Sequence, residues 1–124
     1  MARLEFTRDH TIEVVLVRAL APFNGAYSSC GEDVPCECCG VWCHPEFHHR
    51  KFRSRGGDWR PSNIIALSPH CHHRVTTCHD GTARESGLSV SQWKSPEDVP
   101  VSVWYEELPV LLDNFGGYTL LDNA

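Results

Sequence analysis

Five of the seven cysteines of this 124-residue chain fall between Cys30 and Cys43, and two of them form the turn sequence Cys36-x-x-Cys39-Gly40. Two thiolates three positions apart, with a glycine behind them for the tight turn, is the spacing of a zinc knuckle. An odd cysteine count and an N-terminus, Met1-Ala2-Arg3-Leu4-Glu5, without the charged and apolar regions of a signal peptide favour zinc over disulfides. A chain of this size builds a feasible but not generous core, which a metal staple would reinforce. There is no apolar run long enough to span a bilayer. The expectation is a soluble, cytoplasmic protein that does not engage a membrane.

Regular structure is expected around the knuckle. Ile12, Val15, Leu16, Ala19 and Leu20 recur at helical spacing, which predicts a helix over 11–21, capped by Thr11 or Asp9 and ended by Pro22. Residues 22–35 read as a loop. Val41-Trp42 reads as a short strand and Glu46-Phe47-His48-His49-Arg50 as another, with 53–61 as loop. Ser62-Asn63-Ile64-Ile65-Ala66-Leu67 starts polar and turns apolar, like a strand entering a core. Ser68-Pro69 predicts a helix start, with the helix running to about His79 before Asp80-Gly81. Beyond 91, strands are expected at 101–105, 109–112 and 118–121, the last two joined by the Asn114-Phe115-Gly116-Gly117 hairpin turn. This divides the chain into a core over 1–90 and a small β appendage over 91–124.

Net charge is −5, a weak argument against nucleic acid. Its distribution points the other way: residues 48–74 hold Arg50, Lys51, Arg53, Arg55, Arg60 and Arg74 against Asp58 alone. A basic segment on an acidic body makes a local phosphate site. The same segment opens on His48-His49 and is followed by Asn63 and Cys71-His72. Phosphodiester hydrolysis needs a base for water and a cation for the charge that develops on phosphorus and the leaving oxygen. Histidine titrates near neutrality and also ligates metals, so it suits both tasks. Adjacent strand histidines point to opposite faces unless the backbone bends, so a shared site for both requires a turn or bulge there.

The order His-His, Asn, Cys-His on strand–loop–strand–helix resembles the HNH endonucleases, with their ββα-metal fold, and is closest to short HNH proteins of actinobacterial phages. The likeness spans the leading helix, the Cys-x-x-Cys-Gly knuckle, the basic Gly56-Gly57 loop, the 62–67 strand, the Cys-His helix, the 83–88 stretch and the β tail. It implies an α+β chain with a ββα-metal core, a zinc knuckle, a leading helix and a C-terminal β appendage. It also implies a DNA endonuclease in a bacterial host cell, yielding 5′-phosphate and 3′-hydroxyl ends. By the resemblance His49 is the general base, and His48 and His72 hold one divalent ion. Asn63 either braces the loop carrying the base or coordinates the metal. Arg50, Lys51, Arg53 and Arg55 bind phosphates, with Arg50 nearest the scissile group by adjacency. Imidazole ligands suit Zn, Mn or Ni, whereas Mg prefers oxygen. The implied partners are double-stranded DNA and, for the β tail, the large subunit of a phage terminase.

Two positions depart from the family. Thr76 stands where many members place a second helical histidine. Ser68 stands where a second Cys-x-x-Cys would begin, leaving Cys36, Cys39 and Cys71 as zinc ligands and the fourth open among His70, Cys43 and Cys78. Alternatively Ser68 only caps the helix, Cys71 and Cys78 are core, and no zinc binds. These departures keep a non-catalytic zinc module for nucleic acid or a protein partner as the competing expectation.

Overall fold

The computed structural model describes residues 6–24, 33–78 and 81–121, so Cys30 and His79 lie outside the described residues. The chain is α+β, with three short helices and three two-stranded antiparallel sheets among the described residues.

Helix α1 spans Arg8–Leu20, one turn earlier than its apolar spacing suggests. Its cap is Thr7, whose hydroxyl accepts from the His10 amide at 3.2 Å. The buried face carries Thr11, Val15, Arg18 and Ala19. A 3-10 turn over Ala21–Phe23 and a left-handed Asn24 (φ 56°) end the run.

Strands β1 (Val34–Pro35) and β2 (Trp42–Cys43) pair across the knuckle turn. The turn closes through Gly40 N to Cys36 O and Cys36 N to Val41 O, both 2.8 Å. Gly40 sits at φ +82°, and a Cβ there would meet the Trp104 ring at 2.9 Å. Both the backbone and the packing therefore require glycine at that position.

Strands β3 (Glu46–His49) and β4 (Ile64–Leu67) form the central hairpin, with His48 opposite Ile65 and His49 opposite Ile64. Side-chain alternation divides it into two faces. On one, Phe47, Ile64 and Ala66 pack with Val15 of α1 and with Trp59. On the other, Ile65 and Leu67 pack with Cys71 and Val75 of α2, which spans Pro69–Thr77. Ser68 caps α2, accepting from the Cys71 amide at 3.2 Å, with Pro69 at the first helical position. A single-turn α3, Thr82–Glu85, follows. Cys78, expected on the core face of α2, is exposed beyond the end of that helix.

The segment after 91 shares this core. Val101, Val103, Val110 and Leu112 are buried in the same cluster as Cys36, Ile65, Leu67 and Cys71, so packing gives no boundary at 91. Strands β5 (Val110–Leu112) and β6 (Tyr118–Leu120) form the expected hairpin. Its turn is held by Asp113, which accepts from the amides of Phe115 (2.8 Å) and Gly117 (2.9 Å). The strand expected over 101–105 shrinks to one bridge, Val101 with Val110. The chain leaves that ladder when the Trp104 amide turns to Glu37 O at 3.2 Å. No helix among the described residues is long and apolar enough to cross a membrane.

A buried ion pair ties these layers together. Arg18 Nε and Nη2 donate to Glu37 Oε2 and Oε1, each at 2.8 Å, with both side chains almost fully enclosed. Arg18 also donates to Pro61 O (3.0 Å) and Ile64 O (2.6 Å), and Glu37 accepts from Ala66 N (3.0 Å). The pair links α1, the knuckle and β4 with every charged atom engaged, the condition under which a buried pair is tolerated.

Candidate metal centres

Cys36, Cys39 and Cys71 come together, their sulfurs within 4.8 Å of one another. The knuckle supplies two and the first turn of α2 the third. Burial works against charge on Cys36, but the amides of Ser68, Cys39 and Cys38 outweigh it and hold its thiol below the usual value. A sulfur favoured towards its charged form by N–H donors, beside two further thiols, is a donor set that could bind a metal ion such as zinc. None of the three candidates for a fourth ligand joins the group. His70 and Cys78 are exposed. Cys43 points its Sγ at Val34 O, 3.6 Å away, and burial pushes its thiol up to about 11. The sulfur that does adjoin the trio is Cys38, which sits within hydrogen-bonding reach of Cys71. Spacing hid it, because Cys38 lies inside the Cys-x-x-Cys loop.

A second group forms on the α2 face of the hairpin. His48 is buried, and its Nε2 lies 2.7 Å from Leu88 O. A carbonyl only accepts, so Nε2 carries the proton and Nδ1 keeps its lone pair. Burial lowers the His48 pKa to about 4, with the His72, His49 and Arg50 charges adding and the Leu88 bond opposing; the ring is neutral at pH 7. His72, half-buried on α2, has Nδ1 2.8 Å from Glu46 Oε1, which leaves Nε2 free. The two ring centres are 5.1 Å apart. Imidazoles bound at about 2.0–2.1 Å on adjacent tetrahedral positions of one ion have centres roughly 5 Å apart, a spacing that the two rings match. Glu46 and Leu88 act as the orienting partners that ligating histidines usually have. Glu46 was legible in the sequence: it precedes His48 by two on one strand and shares its face. Leu88, whose contact is through its carbonyl, carried no sequence signal.

His49 does not converge on this pair. Without a bulge in β3 it projects to the α1 face, where its ring stands edge-on to Trp59 with centres 4.5 Å apart. Its Nε2 is buried with no partner among the described residues. Burial, then the Arg53 charge, lowers its pKa, with Asp58 opposing, so the ring is a neutral base at pH 7. Of the three imidazoles, His48 and His72 are therefore neighbours, and His49 stands apart from them.

Arg50 also departs from expectation. It is fully buried, and its guanidinium donates to Gly87 O (2.8 Å), Ser62 O (2.7 Å), Pro96 O (3.3 Å) and Val99 O (2.6 Å). Burial, then Arg18, lowers its pKa to about 9. Four of its five N–H donors go to carbonyls of segments that converge at the end of β3, and the side chain is fully buried, so it is a strut and not a phosphate ligand. Asn63 braces the loop: Oδ1 accepts from Lys51 N (2.6 Å), and Nδ2 donates to Lys51 O (3.1 Å) and Asp58 O (3.0 Å). Gly57 closes the same loop so tightly that a Cβ would lie 1.7 Å from Lys51 O.

Lys51 reaches Lys94 O at 3.1 Å, and Arg53 is exposed. Arg55 lies over the Phe52 ring at 4.6 Å. Arg60 is taken up by Asp58 and Glu97. Thr76, at the expected second helical ligand position, turns its hydroxyl back to His72 O (3.0 Å) and His73 O (3.1 Å) and offers nothing to an ion. The chain matches no protein-family model, no curated protein and no solved structure.

Proposed function

We propose that this chain is a metal-dependent DNA endonuclease of the HNH type, with one divalent ion held by His48 and His72 and a zinc ion held by Cys36, Cys39 and Cys71. The observation that carries the reading is the imidazole pair: two rings, each anchored through one nitrogen, with the other free and with centres 5.1 Å apart. An ion bound there would supply Lewis-acid charge to a phosphoryl oxygen and the leaving oxygen.

The chain's own residues do the rest. Glu46 and the Leu88 carbonyl fix the rings. Asn63 holds the loop that follows β3. Lys51, Arg53 and Arg55 meet backbone phosphates and set position, not sequence. His49 takes the proton of the attacking water; its unpartnered Nε2 is enclosed beside Trp59, so that ring must shift to admit the water. Because His49 faces away from the pair, the substrate strand must pass over the end of β3 to meet both groups.

Supercoiled plasmid incubated with Mg, Mn, Ni or Zn tests this. Nicked or linear product with 5′-phosphate ends is expected, falling at least a hundredfold in His72→Ala, which is partly exposed and should fold. His49→Ala is run beside it. If that variant cuts like its parent, His49 is not the base, although the metal reading survives.

The cysteine trio and the inert Thr76 favour one competing reading, a zinc module that binds DNA or a protein without cutting. Binding with no cleavage under any ion supports it. A bacterial cytoplasmic setting and a terminase partner follow from the resemblance alone. Deleting 99–124 is a poor test of that partner, since Val101, Val103, Val110 and Leu112 are core. Phe115→Ser, at the exposed hairpin tip, leaves the core intact, and equal terminase capture by that variant counts against docking through the tip.

A further inference from the structure

A groove between α2 and α3 opens on the far side of Phe52, the ring next to His48. Its larger part, about 440 Å³, has Phe52, Val75 and Ala83 among its walls and takes in Arg55 and Arg84. A smaller hollow of about 120 Å³ shares Val75 and Ala83 and continues to Arg74. The Phe52 ring stands edge-on to His48 at 5.9 Å, and Val75 is one helical turn beyond His72. The Leu88 carbonyl that orients His48 belongs to a residue lining the smaller hollow. The groove thus shares the neighbours of the imidazole pair, Phe52 and Leu88, although neither histidine lines it.

Among the described residues its lining is cationic, with Arg55, Arg74 and Arg84 against the carboxylate of Glu85. Arg55 is fixed without being neutralised. Its Nη1 donates to Ser89 Oγ (3.2 Å) and Val90 O (3.4 Å), and its plane lies over Phe52 at 4.6 Å. Arg60, by contrast, is held by two carboxylates. A guanidinium oriented by neutral acceptors and an aromatic face keeps its charge for an anion.

We propose that this groove is a nucleic-acid strand subsite, which seats the nucleotide next to the phosphodiester at the imidazole pair. Its phosphate lies between Arg55 and Arg84, and its base lies against Phe52 and Val75. The larger part falls within the roughly 300–1,000 Å³ of sites for small organic ligands. It takes one nucleotide and is too small for a duplex, so the strand enters it splayed from its partner. The inference deepens the nuclease reading and rests on it for the substrate, while the arginine set comes from the groove itself.

The test is fluorescence anisotropy of a labelled oligonucleotide, single-stranded and duplex, without added divalent ion. Binding is measured from 50 to 200 mM salt for the parent, Arg84→Gln, Arg55→Lys and Val17→Glu. The last places an equal charge change on the exposed side of α1. Arg84→Gln should weaken binding about tenfold, one charge-assisted contact, and lower the salt slope by about one. Arg55→Lys keeps the charge but loses the stacking and should weaken single-strand binding more than duplex binding. Val17→Glu should stay within twofold. Repeating the series in His72→Ala separates the two proposals: arginine-dependent binding that persists there supports the groove even if no variant cuts. If Arg84→Gln binds like the parent, or an acidic peptide displaces the strand at lower concentration than a mononucleotide does, the groove assignment is overturned. Nicking by the parent would then still support the nuclease reading.

Discussion

Replacing Glu37 by Gln should unfasten the knuckle from the rest of the molecule. Glu37 accepts both Arg18 bonds at 2.8 Å and the Ala66 amide at 3.0 Å. An amide of the same shape keeps one acceptor oxygen and sets an NH2 group against the guanidinium. The Arg18 charge is then buried with no countercharge, facing one amide oxygen and the carbonyls of Pro61 and Ile64. Breaking one side of such a pair costs about 3–5 kcal/mol, a large share of the roughly 5–15 kcal/mol that stabilises a domain. Glu37 lies between the zinc-ligand candidates Cys36 and Cys39, so its displacement should also loosen the sulfur trio. Urea denaturation followed by tryptophan fluorescence reads the first effect, and zinc content after dialysis reads the second. The double variant Arg18→Met/Glu37→Leu removes both charges and should recover most of the stability, since apolar replacements of buried pairs are commonly neutral or better. A loss below about 1 kcal/mol in Glu37→Gln, the scale of an exposed pair, would refute the view that this pair carries the knuckle.

Three further outcomes follow from the same geometry. His48 has a folded-state pKa of about 4 against an ordinary 6.5, so the unfolded chain binds the proton first as pH falls. Stability from this group is intact above 6.5 and declines by about 3 kcal/mol as pH falls to 4. Urea midpoints should show His48→Gln with a shallower decline over that window, and parallel curves would contradict it. Zinc should co-purify at about one equivalent per chain and disappear in Cys36→Ser. A chelator should lower the melting temperature of the parent and leave that variant unmoved. Arg50→Lys strands several buried carbonyls and should cost about 2–4 kcal/mol, while oligonucleotide affinity of the folded variant stays within twofold; a selective loss of affinity would restore Arg50 as a phosphate ligand.

The strand–loop–strand–helix order around β3, β4 and α2 could be read because each signal was local. Ser68-Pro69 gave the helix start, and the cysteine spacing gave two ligands of the trio. What escaped was polar chemistry turned inward. Arg18 and Glu37 look like surface residues on any hydropathy pattern, and only a fold that brings α1 and the knuckle to the same strand reveals them as partners. Arg50 misled for the same reason, since adjacency to His49 says nothing about which way the side chain leaves the strand. The tail over 91–121 carries short apolar runs, Val101-x-Val103 and Val110-x-Leu112, that read equally well as a separate hairpin or as core. Burial beside Cys36 and Leu67 decides for core.

The two faces of the central hairpin also constrain any mechanism. Period-two alternation sends His48 to α2 and His49 to α1, and the register with Ile65 and Ile64 leaves no extra residue to reorient either. Under the proposed nuclease reading, the phosphate would meet both imidazoles at the strand's end, where Arg50 turns inward and Asn63 pins Lys51. For the proposed nuclease, rigidity of that corner is then a requirement separate from any ligand. Asn63→Ala frees Lys51 N and O and should cut nicking while leaving ion affinity at the imidazole pair unchanged. Loss of both together would mean that Asn63 serves the ion directly.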